Sequence, residues 1–379
     1  MPKRLTVLLQ MPSWKQRRKP CLANYCEGPD PMQICTYKQR SLSFRRAFAH
    51  VRSILFLFLL FSFHSTITAQ TENPPPLRDF LTTSEEFNKG RLGLVLGTEG
   101  VLYTGAVLAL YQYWYKDYPT EPFHFFNDNA EWLQQDKAGH FYTAFFETNL
   151  TTGLYRWTGM EDRKAYWAGF ATASALQLTI EMFDGFSEKW GFSPGDFAAN
   201  TAGAALATGQ YFLWDEQRIR VKFSSHFVNY SGYDQAVQDR AVALYGTSGP
   251  ERVLKDYNGL NLWLSVNPTH FLSEDTWWPH WLMISAGYGA DGLFGGFENA
   301  WCDDPLVKPE ECDPAHLTSY PQIPRYRQYY LSLDVDLTAI ETNSPFWDMM
   351  FEILSIVKIP APAIEFNGDG RVNFYPLYF

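Results

Sequence analysis

Residues 136–147 read DKAGHFYTAFFE and residues 181–200 read EMFDGFSEKWGFSPGDFAAN, and the polar groups in these two stretches decide how the rest of the chain is read. Asp136, Lys137, His140, Glu147, Glu181, Asp184, Asp196 and Asn200 recur at helical spacing among Phe, Ala, Trp and Gly. Ionisable groups inside apolar helices cost on the order of several kcal/mol each unless they pair with one another, with a metal or with a substrate. Asp136 and His140 are four apart and Glu147 lies seven beyond His140, so one helix projects all three from nearly the same face. Glu181 and Asp184 share a face at the end of another helix. Asp196 follows Ser193-Pro194-Gly195, a position suited to an N-cap, with Asn200 one turn further in. The spacing predicts one shared polar site where three helices meet.

Three uses fit such a set. A histidine with carboxylates suits zinc, manganese or iron, with His140 and Glu181 as the first ligands to consider. Alternatively His140, Glu147, Glu181 and Asp196 supply general acid and base groups to an envelope substrate, provided burial moves their pKa values toward the working pH. In the plainest use, Lys137 and His140 neutralise the carboxylates in a network with Asp136, Asp184 and Asn200 that fixes helix register. The residues name no particular cofactor.

Outward from the site, four apolar segments run approximately over 92–115, 138–157, 165–183 and 197–214, each near the ~20 residues that span a bilayer. Small residues such as Ala198, Ala202 and Ala205 favour close helix packing in lipid or in a dense soluble bundle. Four spans with an external N-terminus would put Arg156, Arg163, Lys164, Arg218, Arg220 and Lys222 on the outer side, against the positive-inside tendency. A periplasmic bundle, a surface-lying one, or action at the outer membrane would each resolve that conflict.

Before the helices, Arg45, Arg46 and Arg52 precede an apolar run at 54–63 and a small residue, Ala69, which together fit a secretory signal cleaved before Gln70. No cysteine follows the run closely, so a lipid anchor is not expected. The stretch ahead of about Ser41, with Cys21, Cys26 and Cys35, exceeds what a signal needs and fits a start site set too far upstream. In an exported chain Cys302 and Cys312, flanking an acidic loop, are expected to form a disulfide. A net charge of −10 without a basic stripe excludes sequence-independent nucleic-acid binding.

After Trp214 the pattern changes. Leu260, Leu262, Leu264 and Val266 alternate with Asn261, Trp263 and Ser265, and Tyr329, Leu331, Leu333, Val335 and Leu337 alternate with Tyr330, Ser332, Asp334 and Asp336. Both read as half-buried strands. Residues 281–290, 363–366 and 371–375 are further strands, the last two joined by the hairpin sequence Asn367-Gly368-Asp369-Gly370. Residues 345–358 read as a helix against that sheet. Tyr375, Leu377 and Phe379 end the chain in the manner of an outer-membrane barrel strand. Too few strands precede them to close a barrel, so an ordinary last strand is expected. His270 and His280 lie among Trp277, Trp278 and Trp281, which read as a surface aromatic cluster facing carbohydrate or an interface, or as part of a core; the core role is expected. The glycine-rich 287–296 is read as a turn, not a nucleotide loop.

Asp136-Lys137-Ala138-Gly139-His140, then Glu181, then Asp196-x-x-x-Asn200-x-x-Gly203 together resemble the YfiM-like family of predicted periplasmic lipoproteins and the wider VanZ-like group. The resemblance covers roughly residues 90–215 and implies a small helical, membrane-associated module with no established activity. The expected architecture is α+β: an extension and signal at 1–69, a linker at 70–90, a bundle of about four apolar helices at 91–215, and a β-rich region at 216–379. The expected function is that of an exported cell-envelope protein, structural or partner-binding, meeting membrane lipid or an envelope component. The alternative is a metal-dependent or acid/base hydrolase or transferase acting on an envelope lipid or glycan.

Overall fold

The computed structural model describes residues 80–379 except 117, 273–275, 305–306 and 341, and only the backbone of 113 and 114. The expected signal and Cys21, Cys26 and Cys35 lie outside the described residues. Helix α1, Lys89–Leu110, starts at Asn88, whose side chain accepts from the Arg91 N–H at 3.0 Å. Helices α2 (Gln135–Trp157), α3 (Asp162–Gly185) and α4 (Pro194–Trp214) pack together with α2 against both others. Close approach depends on two glycines. A Cβ on Gly203 would stand 2.1 Å from the Phe141 carbonyl oxygen, and one on Gly169 2.1 Å from Thr152 Oγ1.

The expected bundle of about four apolar helices is not what forms. The described residues contain seven helices, and only α1 is long and apolar enough to cross a membrane. The other three long helices fall short because their contact faces carry the charged, amide and threonine side chains quoted above. Helix α1 stands largely apart, with Val95 its one buried residue, packed near Tyr155 and Ala165.

Beyond α4 lie strand β1 (Ile219–Ser225), helices α5 (Gln235–Tyr245) and α6 (Gly249–Lys255), and strands β2 (Leu260–Val266), β3 (Leu282–Asp291), β4 (Ala300–Cys302), β5 (Leu317–Ser319) and β6 (Tyr326–Val335). Helix α7 (Pro345–Leu354) and the hairpin β7 (Ala361–Asn367) and β8 (Val372–Tyr378) complete the described chain. Six strands make one antiparallel sheet in the order β1-β2-β3-β6-β7-β8. The pair β4-β5 stands separately, and the Cys302–Cys312 disulfide is present beside it. Phe223 in β1 exchanges backbone hydrogen bonds with Ile356 and Lys358, so the lead-in to β7 returns to β1 and the sheet curls. Phe145, Ala207 and Val221 form the core between α2, α4 and β1.

The alternation expected in β6 is present with its polarity reversed, and β2 follows it at Leu264 alone, with Leu262 buried. Trp263, Ser265, Ser285, Tyr330, Ser332, Asp334 and Glu365 face inward and are buried. Leu264, Ile284, Tyr329, Leu331, Leu333, Ile364, Phe366, Val372, Phe374 and Leu377 face outward and are exposed. Register aligns them: Ala286 pairs with Leu331, Leu331 with Ile364, and Ile364 with Phe374. The inner face is a connected network. Lys222 Nζ meets Asp334 Oδ2 at 2.9 Å, Ser265 donates to the same oxygen at 2.9 Å, and Glu365 accepts from Gln328, Asn367, Asn373 and Tyr375.

The core role expected for the tryptophans near His280 is also overturned, because Trp277 is 86% exposed and Trp281 50%. Of the glycine-rich stretch 287–296, expected as a turn, residues 287–291 instead belong to β3, and the chain turns only from Gly292, at φ +75° against the Pro324 carbonyl, where only glycine fits.

Candidate functional site

The polar groups gather where the start of α2, the end of α3 and the start of α4 meet. Lys137 Nζ is the charge centre, 2.8 Å from Asp128 Oδ1, 3.2 Å from Asp136 Oδ2 and 2.7 Å from Asp196 Oδ1. The His140 ring lies beside it. Its Nδ1 sits 3.2 Å from Asn200 Oδ1 and 3.8 Å from Glu181 Oε1, and its Nε2 lies 3.9 Å from Asp136 Oδ1 and 3.8 Å from Asp196 Oδ1. If Asn200 accepts from Nδ1–H, the Nε2 lone pair points at the two aspartates.

Local sequence explains the placement. Ser193, rather than the expected Asp196, caps α4: its hydroxyl accepts from the Asp196 N–H at 3.0 Å, and Pro194 occupies the first helical turn. Asp196 is thereby free to turn toward Lys137. The Ser193 N–H in turn donates to Glu181 Oε2 at 3.2 Å, tying the end of α3 to the start of α4. Gly195 leaves room for the Lys137 stem and Asn129, which a Cβ would strike at 3.0 and 2.1 Å.

Helix α2 begins beneath the site on three consecutive left-handed residues, Trp132, Leu133 and Gln134, at φ +48°, +51° and +67°. Such backbone costs on the order of 1–2 kcal/mol per residue and persists only where surroundings impose it. Here they do. The Trp132 N–H donates to the Gly296 carbonyl at 2.7 Å, Tyr288 donates to the Leu133 carbonyl, and Arg327 donates to the Gln134 side chain.

Charge around the site is unbalanced toward acid. Burial pushes Glu181 up to about 8, with Asp196 and Asp184 adding to it and His140 opposing. Burial pushes Asp196 up to about 7, His140 opposing and Asp136 reinforcing. Burial works against charge on His140, yet Asp136, Asp196 and Glu181 together hold the imidazole above its ordinary value. Lys137 is likewise held above its ordinary value by the carboxylates, against the effect of burial. Asp128 goes the other way: burial raises it, but hydrogen bonds from Asp196, Lys137 and Ser193 bring it below the usual range.

Of the residues singled out in the sequence, Asp136, Lys137, His140, Glu181, Asp196 and Asn200 come together. Asp184 lies alongside, accepting from the Tyr115 hydroxyl at 2.7 Å, and burial pushes it up to about 6. Glu147 does not join them. It accepts from Gln177 at 2.9 Å two turns along α2, where burial pushes it up to about 7. Asp128, Glu131 and Tyr257, whose hydroxyl donates to Asp136 Oδ1 at 3.1 Å, belong to the site and were not singled out by sequence. All three lie outside the regular helices, where no periodicity marks them.

Three of these residues, Asp136, His140 and Asp196, offer ligand atoms within 4.8 Å of one another. The same groups can move protons, since His140 has a carboxylate near each ring nitrogen.

Residues 124–212 match a family model described as "Predicted periplasmic lipoprotein (DUF2279)". The match spans the helical residues of the site and supports the periplasmic-lipoprotein part of the resemblance and an exported, periplasmic location in the cell envelope; it carries neither the YfiM-like naming nor a VanZ-like relation. No curated protein and no solved structure matches the chain.

Proposed function

We propose that this is a cell-envelope protein seated against membrane lipid through the outer face of its six-stranded sheet, with the α2–α4 polar site held beside that face. The observation that carries the reading is the reversed polarity of the sheet. In water an antiparallel sheet turns its apolar side inward; here charges, hydroxyls and amides are inside and a continuous array of Leu, Ile, Phe and Tyr is outside. Outer-membrane strands alternate in this sense. Strand β6, with ten residues, is about 33 Å long and at the tilt of barrel strands covers about the 25 Å apolar band of such membranes. Exposed Phe346, Trp347, Met349, Ile353 and Leu354 on α7 and the mostly exposed α1 extend the apolar surface.

The test is flotation of the purified full chain with phosphatidylcholine vesicles, beside a variant carrying Leu331→Lys, Ile364→Lys and Phe374→Lys. The wild type is expected to need detergent to stay monodisperse and to float with the vesicles in a form resistant to urea washing; the variant, with the same circular dichroism, is expected to wash off. Equal retention of both, or a detergent-free wild type that remains in solution as a monomer, would count against the reading.

A second reading concerns chemistry at the site. The carboxylates on both sides of His140 favour acid and base work on an envelope lipid or glycan, with His140 and Asp196 as the proton-handling pair.

A further inference from the structure

We infer that Asp136, His140 and Asp196 form a binding site for one divalent transition-metal cation. Three points no more than 4.8 Å apart leave a common point within about 2.8 Å of each, and small side-chain shifts bring that to the 2.0–2.2 Å of metal–nitrogen and metal–carboxylate bonds. The separations of 3.9 and 3.8 Å from His140 Nε2 to the two carboxylates are too long for hydrogen bonds. They are close to the span of two ligands that each lie about 2.1 Å from one ion at an open angle.

Orientation of the ring agrees. Asn200 Oδ1 faces Nδ1, which leaves Nε2 as the ligand, the arrangement in which an outer hydrogen bond fixes a metal-binding imidazole. The gap therefore opens on the Nε2 side, between the two aspartates, rather than between His140 and Glu181.

Polar atoms on the other side of the ring are left unpaired as well. Glu181 Oε1 and Asn200 Nδ2 are buried without a hydrogen-bond partner, and Glu181 is 1% exposed. Asp196 Oδ1 has the Lys137 ammonium nearby as an ion-pair neighbour; Glu181 Oε1 has only the edge of His140 at 3.8 Å. Three carboxyls, Asp128, Asp136 and Asp196, surround the single ammonium of Lys137, and Glu181 lies on the far side of His140, so a dication reduces the excess of acid. Entry is open from the rim, where the Asp136 and His140 side chains remain 24% and 19% exposed. An imidazole with carboxylates favours Zn²⁺, Mn²⁺ or Fe²⁺ over Ca²⁺ or Mg²⁺.

The inference is independent of lipid contact, and its test is run in detergent. The full chain is stripped with a chelator and titrated by calorimetry with Zn²⁺ and with Mn²⁺. One ion per chain is expected, with affinity about tenfold or more weaker in Asp136→Asn and in His140→Gln, and unchanged in Glu147→Gln on the same helix. The asparagine retains an oxygen for the Tyr257 hydroxyl, so Asp136→Asn serves if the histidine variant does not fold. A wild type that binds neither ion at about 1 mM, or full affinity in either site variant, overturns the inference.

Discussion

Lys222 Nζ and Asp334 Oδ2 are 2.9 Å apart inside the curled sheet, and neither side chain has any exposed surface. Their chain neighbours Leu333 and Phe223 face the other way, Leu333 into the solvent-accessible apolar array and Phe223 against Tyr142 of α2. A buried ion pair of this kind adds little net stability against an apolar core, but each charge depends on the other. Asp334→Ala removes the partner of Lys222 and the acceptor of Ser265 together. It is expected to cost about 3–5 kcal/mol, measured by denaturant unfolding in detergent, while the double change Lys222→Met with Asp334→Leu costs clearly less. Equal losses in the two would show that the pair is not what the interior depends on.

Stability is expected to fall as pH rises. Glu181 and Asp196, at about 8 and 7, are raised above their unfolded values of 4.5 and 3.8, and His140 is raised above 6.5. For each, folding favours the protonated form; the contribution is complete below the unfolded pKa and disappears as pH climbs through the folded one. The metal-stripped protein should therefore lose thermal stability between about pH 5 and pH 8. Glu181→Gln should flatten that slope. A melting temperature that rises over the same window would contradict the assignment, since Asp128, the lowered carboxyl, acts only in more acid solution.

Gly203 lies where α4 meets the Phe141 carbonyl, at a distance that admits no side chain. Gly203→Val must push α4 from α2, an overpacking change expected to cost about 1–3 kcal/mol or more. Because His140 adjoins Phe141 and Asn200 lies one turn before Gly203, the change should also weaken metal binding. Retained stability with retained binding would show that the helices separate freely there.

Ser193 carries three bonds, to Asp128, to the Asp196 N–H and to Glu181. Two of them use its hydroxyl. Ser193→Ala should cost about 1–2 kcal/mol, the usual value for an N-cap, and release Asp128, which would then titrate closer to ordinary carboxylates. Carboxyl titration by infrared spectroscopy would report it.

The helical site was legible because its members recur at spacings of three and four, which put Asp136 beside His140, Glu181 beside Asp184 and Asp196 beside Asn200. Glu147 was misplaced by the same periodicity: seven residues return to the same face but about 10 Å further along the axis. Asp128 and Tyr257 reach the site from irregular segments whose course depends on long-range contacts, such as the clamp on Leu133 and Gln134 from β3 and β6. The sheet shows a different limit. Alternation told that Leu331 and Leu333 share one face and Ser332 and Asp334 the other; it is silent on which face is covered, and that is set by Lys222 and Glu365 from other strands and Lys358 from the lead-in to β7 arriving on the polar side.

The most direct measurement of the central claim is the accessibility of nitroxide labels on the outer face of the sheet in reconstituted vesicles. Single cysteines at Leu331, Ile364 and Phe374 carry the label, with one at exposed Trp277 for comparison, and each is relaxed by oxygen, which partitions into lipid, and by a water-soluble nickel chelate. A sheet seated in lipid predicts strong oxygen and weak nickel relaxation at the three strand positions and the reverse at 277. Nickel relaxation at 331, 364 and 374 equal to that at 277 would mean that water or another protein, not lipid, covers this face.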